Sequence, residues 1–271
     1  MPVDAELRLL EIDIPAQPEV LVKLSLLMAE DEPDLKALSV LIESDMALAA
    51  AVLKAVNSSL YGLSGRVQSV QQAITYLGTR EVAAVTFEMG LRAVFPPAPE
   101  LAPIWERAAR RGVLMGRIAA ALGVDPWIAH SAGLFEECGK AVLFRHASAR
   151  YRPLLAAATS ELDLVQREHA EFGVSNDKLG AALCESWGLA APAVASVRHH
   201  VEVQATRALP PQLQRRAICA LSAIVHALMT APSTVDDVAQ CVAPQAQLDE
   251  TLVLRGARKV EEQLAAAAAR G

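Results

Sequence analysis

The chain is 271 residues long, 53% hydrophobic, 4% aromatic and 21% charged, with a formal net charge of −6 and a pI near 5.6. That length buries a sizeable core, in one large domain or two smaller ones. An alanine- and leucine-rich composition almost without β-branched or aromatic alternation favours an all-α fold over a sheet, and the acidic balance argues against a dedicated nucleic-acid binder, which carries a basic face.

Pro15 and Pro18 punctuate the opening. After them "EVLVKLSLLMAE" sets Val20, Leu21, Leu24, Leu27 and Met28 at helical spacing. A second helix restarts after Pro33, with Asp34 as N-cap or first-turn acid. In "DMALAAAVLKAVNSSLYG" Asp45 caps a third helix, whose expected inward residues are Met46, Ala49, Ala50, Leu53 and Val56. It should stop at Asn57-Ser58-Ser59, whose side chains compete for backbone groups. "SVQQAITYLG" and "TREVAAVTFEMGLRAVF" predict two more helices, with Gly78 as a C′ residue and Thr79 as the next cap.

The proline-rich "PPAPELAP", Pro96 to Pro103, is the expected linker. Beyond it, "IWERAARRGVLMGRIAAALG" predicts a long amphipathic helix ending at Gly123. Its Arg107, Arg110, Arg111 and Arg117 are expected on a solvated face, because no aromatic residues interleave for base stacking. A helix from Pro126 should break at Gly139 before a short apolar helix. A Gly173 turn then separates two more, the second ending at Gly188. "APAVASVRHHVEV" follows, and a helical, alanine-rich stretch closes the chain with a low-complexity tail expected to fray. No repeat of fixed period occurs.

Four widely spaced cysteines, Cys138, Cys184, Cys219 and Cys241, form no C-x-x-C pair, which suggests reduced thiols. The acidic N-terminus does not read as a signal peptide, and no apolar run reaches the ~18 residues of a membrane helix, so a cytoplasmic location is expected.

Within "GLFEECGK" two adjacent glutamates and a cysteine interrupt an apolar segment. Around it several motifs occur in order: "DMALAAAVLKAVNSSLYGLSGRVQSVQQAITYLGTREV", Trp105, "AGLFEECGK", Glu168, "GVSNDKLGAALCESWGL" and "VRHH". This arrangement, over roughly residues 12 to 205, resembles the HDOD family, bacterial signalling domains related to the HD phosphohydrolases. The resemblance implies an all-helical fold in three parts: an N-terminal subdomain over 1–95, a degenerate HD-like subdomain over 96–205, and a C-terminal extension over 206–271. It also implies protein partners in signal transduction, in a setting often near cyclic dinucleotide signalling.

HD enzymes hold metal on an early histidine, an adjacent His-Asp pair and further His or Asp residues, because phosphate-ester hydrolysis needs an activated water and charge stabilisation. Carried over by position, Arg107 stands where the early histidine belongs, Glu136-Glu137 replace the His-Asp pair, and Asn176 replaces a third ligand. Only His199-His200 remain. A guanidinium has no lone pair to give a metal. Consecutive helical residues diverge by about 100°, which makes a shared ligand role for the glutamates difficult. An ion pair from Arg107 to Glu136 or Glu137 is the expected replacement.

The remaining polar residues read more plainly. His199 and His200 suit capping or packing near a helix end. His130, His146, His169 and His226 lack mutual ligand spacing and read as surface or partly buried residues. Asn57, Ser58 and Tyr61 staple a turn, and acids beside Cys138 disfavour a thiolate. The expected function is therefore a non-enzymatic HDOD regulatory protein without cofactor, acting through protein–protein contact. Two alternatives are a nucleotide or phospho-ligand module using a vestigial cleft of Arg107, Glu136, Glu137, Asn176, His199 and His200, and a residual metal phosphohydrolase.

Overall fold

The computed structural model describes residues 12–30, 32–61, 63, 65 and 67–268, and among these every long element is an α-helix. The helices are α1 (Glu19–Met28), α2 (Leu35–Glu43), α3 (Met46–Val56), α4 (Val70–Leu77), α5 (Thr79–Ala93), α6 (Ala102–Ala121), α7 (Pro126–Phe135), α8 (Cys138–Ala157), α9 (Glu161–Phe172), α10 (Asn176–Ser186), α11 (Ala191–Thr206), α12 (Leu213–Thr230), α13 (Val235–Val242) and α14 (Glu250–Ala268). No strand occurs among the described residues. None of the described helices is long and apolar enough to cross a membrane.

The chain divides into two compact units. One holds the described residues up to Ala16 together with Phe95–Arg258; the other holds the described residues of Gln17–Val94 and those from Lys259 to 268. One division between the units falls between Val94 and Phe95. The stretch from 206 is not a separate extension, because α12 and α13 belong to the same unit as α6 to α11 and only the end of α14 does not. The last residues of the fraying tail, from 269, lie outside the described residues.

In the smaller unit α5 is the axis, packed against α1, α2, α3 and α4. Gly90 lets α1 approach, since a Cβ there would lie 2.5 Å from Leu21 Cδ2. The cap residues act as expected at two starts. Asp34 accepts from Lys36 N at 2.8 Å, and Asp45 accepts from Ala47 N and Leu48 N. On α3 the buried stripe is Leu48, Val52 and Val56, so Val56 faces inward as expected, while Met46 is 87% exposed and Ala49, Ala50 and Leu53 are not fully buried. Gly78, at φ 85°, joins α4 to α5 directly, and Thr79 is the first helical residue rather than a cap. Asn57 ends α3 and pins the following loop, its Nδ2 donating to Leu53 O and Val67 O and its Oδ1 accepting from Val67 N.

In the larger unit α6 pairs with α7, α11 lies against α10 and α12, and α8 crosses α10. Part of the proline-rich stretch is itself structured, as a 3-10 turn at Pro99–Leu101 that runs into α6. The α7–α8 break falls at Glu136-Glu137 rather than at Gly139, which lies in the first turn of α8. That glycine serves close packing: a Cβ there would meet Asn176 O at 1.9 Å. Helix α8 leaves helical geometry once, at Ala147.

Candidate functional site

Glu136 ends α7 and Glu137 precedes α8, so the two acids occupy a corner between helices and their side chains diverge. Glu137 turns toward α6. Arg107 grips it with Nε on Oε1 at 3.1 Å and Nη2 on Oε2 at 2.6 Å, while Arg111 Nη1 donates to Oε1 at 2.8 Å. Lys140 Nζ completes the set, 2.9 Å from Oε2, and also reaches Glu161 Oε1 at 2.8 Å. Glu136 turns the other way. It accepts from Gln204 Nε2 of α11 and Ser222 Oγ of α12, each at 2.9 Å, and Arg111 Nε lies 3.7 Å away.

Arg107 and Arg111 are four residues apart on α6 and therefore share a face. Arg110, about 100° away, is exposed. The expected solvated arginine face is thus corrected for Arg111, which is only 4% exposed because its charge is matched inside the unit. Glu136, Glu137, Arg111 and Lys140 are all buried. Three carboxylates, Glu136, Glu137 and Glu161, face three cations, Arg107, Arg111 and Lys140, and the charges cancel.

The titration behaviour follows from this balance. Burial alone pushes Glu137 upward, but Lys140, Arg111 and Arg107 outweigh it and hold the carboxyl well below its ordinary value. Burial likewise opposes the charge of Lys140, and Glu137 with Glu161 more than restores it, leaving the ammonium above its usual range.

Asn176 lies elsewhere. It opens α10, is fully buried, and gives both its backbone N–H and its Nδ2 to Glu168 Oε2, at 2.7 and 2.8 Å. Tyr151 donates its hydroxyl to Glu168 Oε1. Burial raises the Glu168 pKa to about 7, against the pull of Tyr151 and Asn176. The two histidines also part: His199 is half-buried beside Glu202, whereas His200 is buried with Nδ1 2.7 Å from Val197 O. Of the expected set, Arg107, Glu137 and His200 line one cleft of about 850 Å³; Glu136, Asn176 and His199 do not. Arg111, Lys140, Glu161, Gln204 and His226 line it as well. His130, expected at the surface or partly buried, is buried on α7, with a Cβ at Gly112 falling 3.0 Å from its ring.

A metal needs carboxylate or imidazole lone pairs converging on one point. A carboxylate has about four acceptor positions, and Glu137 receives four hydrogen bonds from three cations. Among the described residues no three His, Cys, Asp or Glu side chains converge as a ligand set. The residues at this corner do not fit a two-metal hydrolytic centre.

Several known proteins share this architecture. A crystal structure of a candidate phosphohydrolase from Shewanella amazonensis aligns with a TM-score of 0.72 at 18% identity, over 99% of this chain and 98% of that one. A candidate signal transduction protein from Marinobacter aquaeolei gives 0.74 at 22% identity, over 96% and 60%. An HDOD domain protein from Geobacter sulfurreducens gives 0.73 at 18%, over 97% and 94%. By sequence, a Treponema pallidum protein is 27% identical over 193 residues, 69% of this chain and 37% of its own length. YuxH of Bacillus subtilis is 38% identical over 55 residues, 20% of this chain and 13% of its own. The chain thus spans well under half of these sequence relatives. The HDOD domain pattern itself matches residues 14–203, which include the acid corner, the Glu168 cluster and both histidines of "VRHH". This chain belongs to the HDOD family.

Proposed function

We propose that this HDOD chain is a non-catalytic regulatory protein that works through contact with protein partners in bacterial signal transduction. The observation that carries the reading is the saturated Glu137 carboxylate. Four charge-assisted hydrogen bonds fill it, so it has no lone pair left to bind a metal or to take a proton from water. Glu136 is occupied by Gln204 and Ser222. A corner built this way braces helices. The name of the Marinobacter structure, a candidate signal transduction protein, is consistent with the regulatory role.

The test is direct. Protein purified without chelator is assayed for bound Mn, Fe and Zn and for hydrolysis of a panel of phosphoesters. Substoichiometric metal and no turnover above a Glu137→Ala control are expected. Stoichiometric metal with turnover would overturn the reading.

A further inference from the structure

The cleft beside the acid corner contains more unpaired polar chemistry than a structural brace requires. His200 Nε2, His226 Nδ1, Arg111 Nε and Glu161 Oε2 are sealed from solvent without a hydrogen-bond partner, and all four residues line this one cleft. Buried polar atoms in folded proteins are nearly always paired. His200 Nδ1 faces the Val197 carbonyl at 2.7 Å, so that nitrogen carries a proton, and in the corresponding neutral tautomer Nε2 is an acceptor. Glu161 spends Oε1 on Lys140 and leaves Oε2 as a second acceptor. Arg111 Nε makes no hydrogen bond, its Glu136 Oε1 neighbour lying 3.7 Å away.

The cleft's volume, about 850 Å³, suits a small molecule. Ile104, Leu155, Leu162 and Val201 give it apolar walls. Its charges are already matched: Arg107, Arg111 and Lys140 serve Glu137 and Glu161, and Arg152 holds Glu100 at 2.6 Å. A multiply charged phosphate would have to break these pairs to find a counter-charge. A flat, uncharged body that carries N–H donors beside carbonyl or ring-nitrogen acceptors would not, and a nucleobase edge has that pattern.

We propose that this cleft binds an uncharged heterocycle of the nucleobase or nucleoside class, with its polar edge against His200, Arg111 and Glu161 and its faces between the aliphatic walls. His226, half-buried with an unpaired Nδ1, turns aside to admit it. The inference goes beyond the regulatory reading and adds a small-molecule input to it.

Adenosine, guanosine, cytidine, uridine and their 5′-monophosphates are titrated into the full chain by calorimetry and thermal shift. At least one nucleoside should raise Tm by about 2 °C or more at millimolar concentration, with its monophosphate binding no tighter. Leu155→Trp, which fills the cleft, should remove the shift; His226→Ala should change the affinity at least threefold and covers the case in which the tryptophan variant fails to fold. Imidazole resonances of His200 and His226 should move on titration. No nucleoside binding at millimolar concentration, or binding unchanged in both variants, overturns the proposal. A monophosphate more than tenfold tighter than its nucleoside overturns the uncharged class. Phosphate release is followed in the same samples: release counts against the regulatory reading alone, and absent binding counts against this inference alone.

Discussion

Arg107 and Glu137 meet fork to fork, Nε on Oε1 and Nη2 on Oε2, across thirty residues of sequence. Such bidentate pairs are the strongest and most directional of ordinary ion pairs. In this chain the pair is one edge of a larger cluster, so the cost of cutting it depends on which side is removed.

Glu137→Ala leaves Arg111 and Lys140 buried without their shared counter-ion and should cost about 3–5 kcal/mol. Arg107→Ala should cost only about 1 kcal/mol, because 42% of that side chain stays in water and two cations still hold Glu137. Pairing Glu137→Ala with Arg111→Ala should cost less than the sum of the two. Urea denaturation of the three single variants and the double variant checks the order; equal losses for Arg107→Ala and Glu137→Ala would contradict it.

Glu168 and Glu88 both have pKa values raised by burial to about 7. A carboxyl raised in the folded state binds more protons there than in the unfolded chain between pH 4.5 and 7. Stability from each therefore falls as pH rises through that window, by up to about 3 kcal/mol. Glu137, held low, acts with opposite sign: its contribution is present above its ordinary value of 4.5 and fades as pH drops through the folded pKa. Glu168→Gln mimics the protonated carboxyl and can still accept from Asn176. Its denaturation midpoint should decline less between pH 5 and 7.5 than that of the parent. A parallel decline in both proteins would exclude Glu168 as a source.

Two glycine replacements separate packing from helix propensity. At Gly139 a methyl group would sit 1.9 Å from the Asn176 carbonyl, a backbone atom that cannot swing aside. Gly139→Ala should lose about 3 kcal/mol or more, or fail to fold. At Gly256 the nearest atoms are Ala121 Cβ at 3.7 Å and Ile118 Cγ2 at 3.8 Å, so Gly256→Ala should gain up to about 1 kcal/mol. Melting curves of the pair should move in opposite directions.

Asn57 supplies three hydrogen bonds that hold the loop after α3 to the end of that helix. Asn57→Ala orphans both polar groups of Val67, itself buried, and should cost about 2 kcal/mol. Asn57→Asp keeps an acceptor for Val67 N but loses both donations, so its midpoint should also fall. Proteolysis should then cut first between residues 58 and 66; cleavage elsewhere would show that the bonds do not govern this loop.

The all-helical architecture was legible because hydrophobic periodicity, aspartate caps and glycine stops are local signals. Asp34, Asp45 and Gly173 do what their positions predict. The α3 register was not, since alanine is apolar enough to mimic a buried stripe, and Met46 stays in water. At the site, the Arg107–Glu137 pair could be expected from the ordered motifs. Arg111 and Lys140 had weaker signals, one four residues beyond Arg107 and the other three beyond Glu137. Glu161, Ser222 and His226 had none, because only the folded chain brings α9 and α12 to the corner. Helix periodicity also hid the corner itself, where a pattern that looks continuous from Pro126 turns sharply at the two acids.

That corner has a consequence for how the larger unit opens. Through Glu136, Glu137 and the shared Lys140, two consecutive residues are tied to α6, α9, α11 and α12 as well as to their own α7 and α8. No one of these helices can detach without exposing a buried charge in the others' midst. Amide hydrogen exchange should therefore find them opening in a single cooperative step, with shared protection rather than a gradient along the chain. Two adjacent glutamates thus set the size of the folding unit.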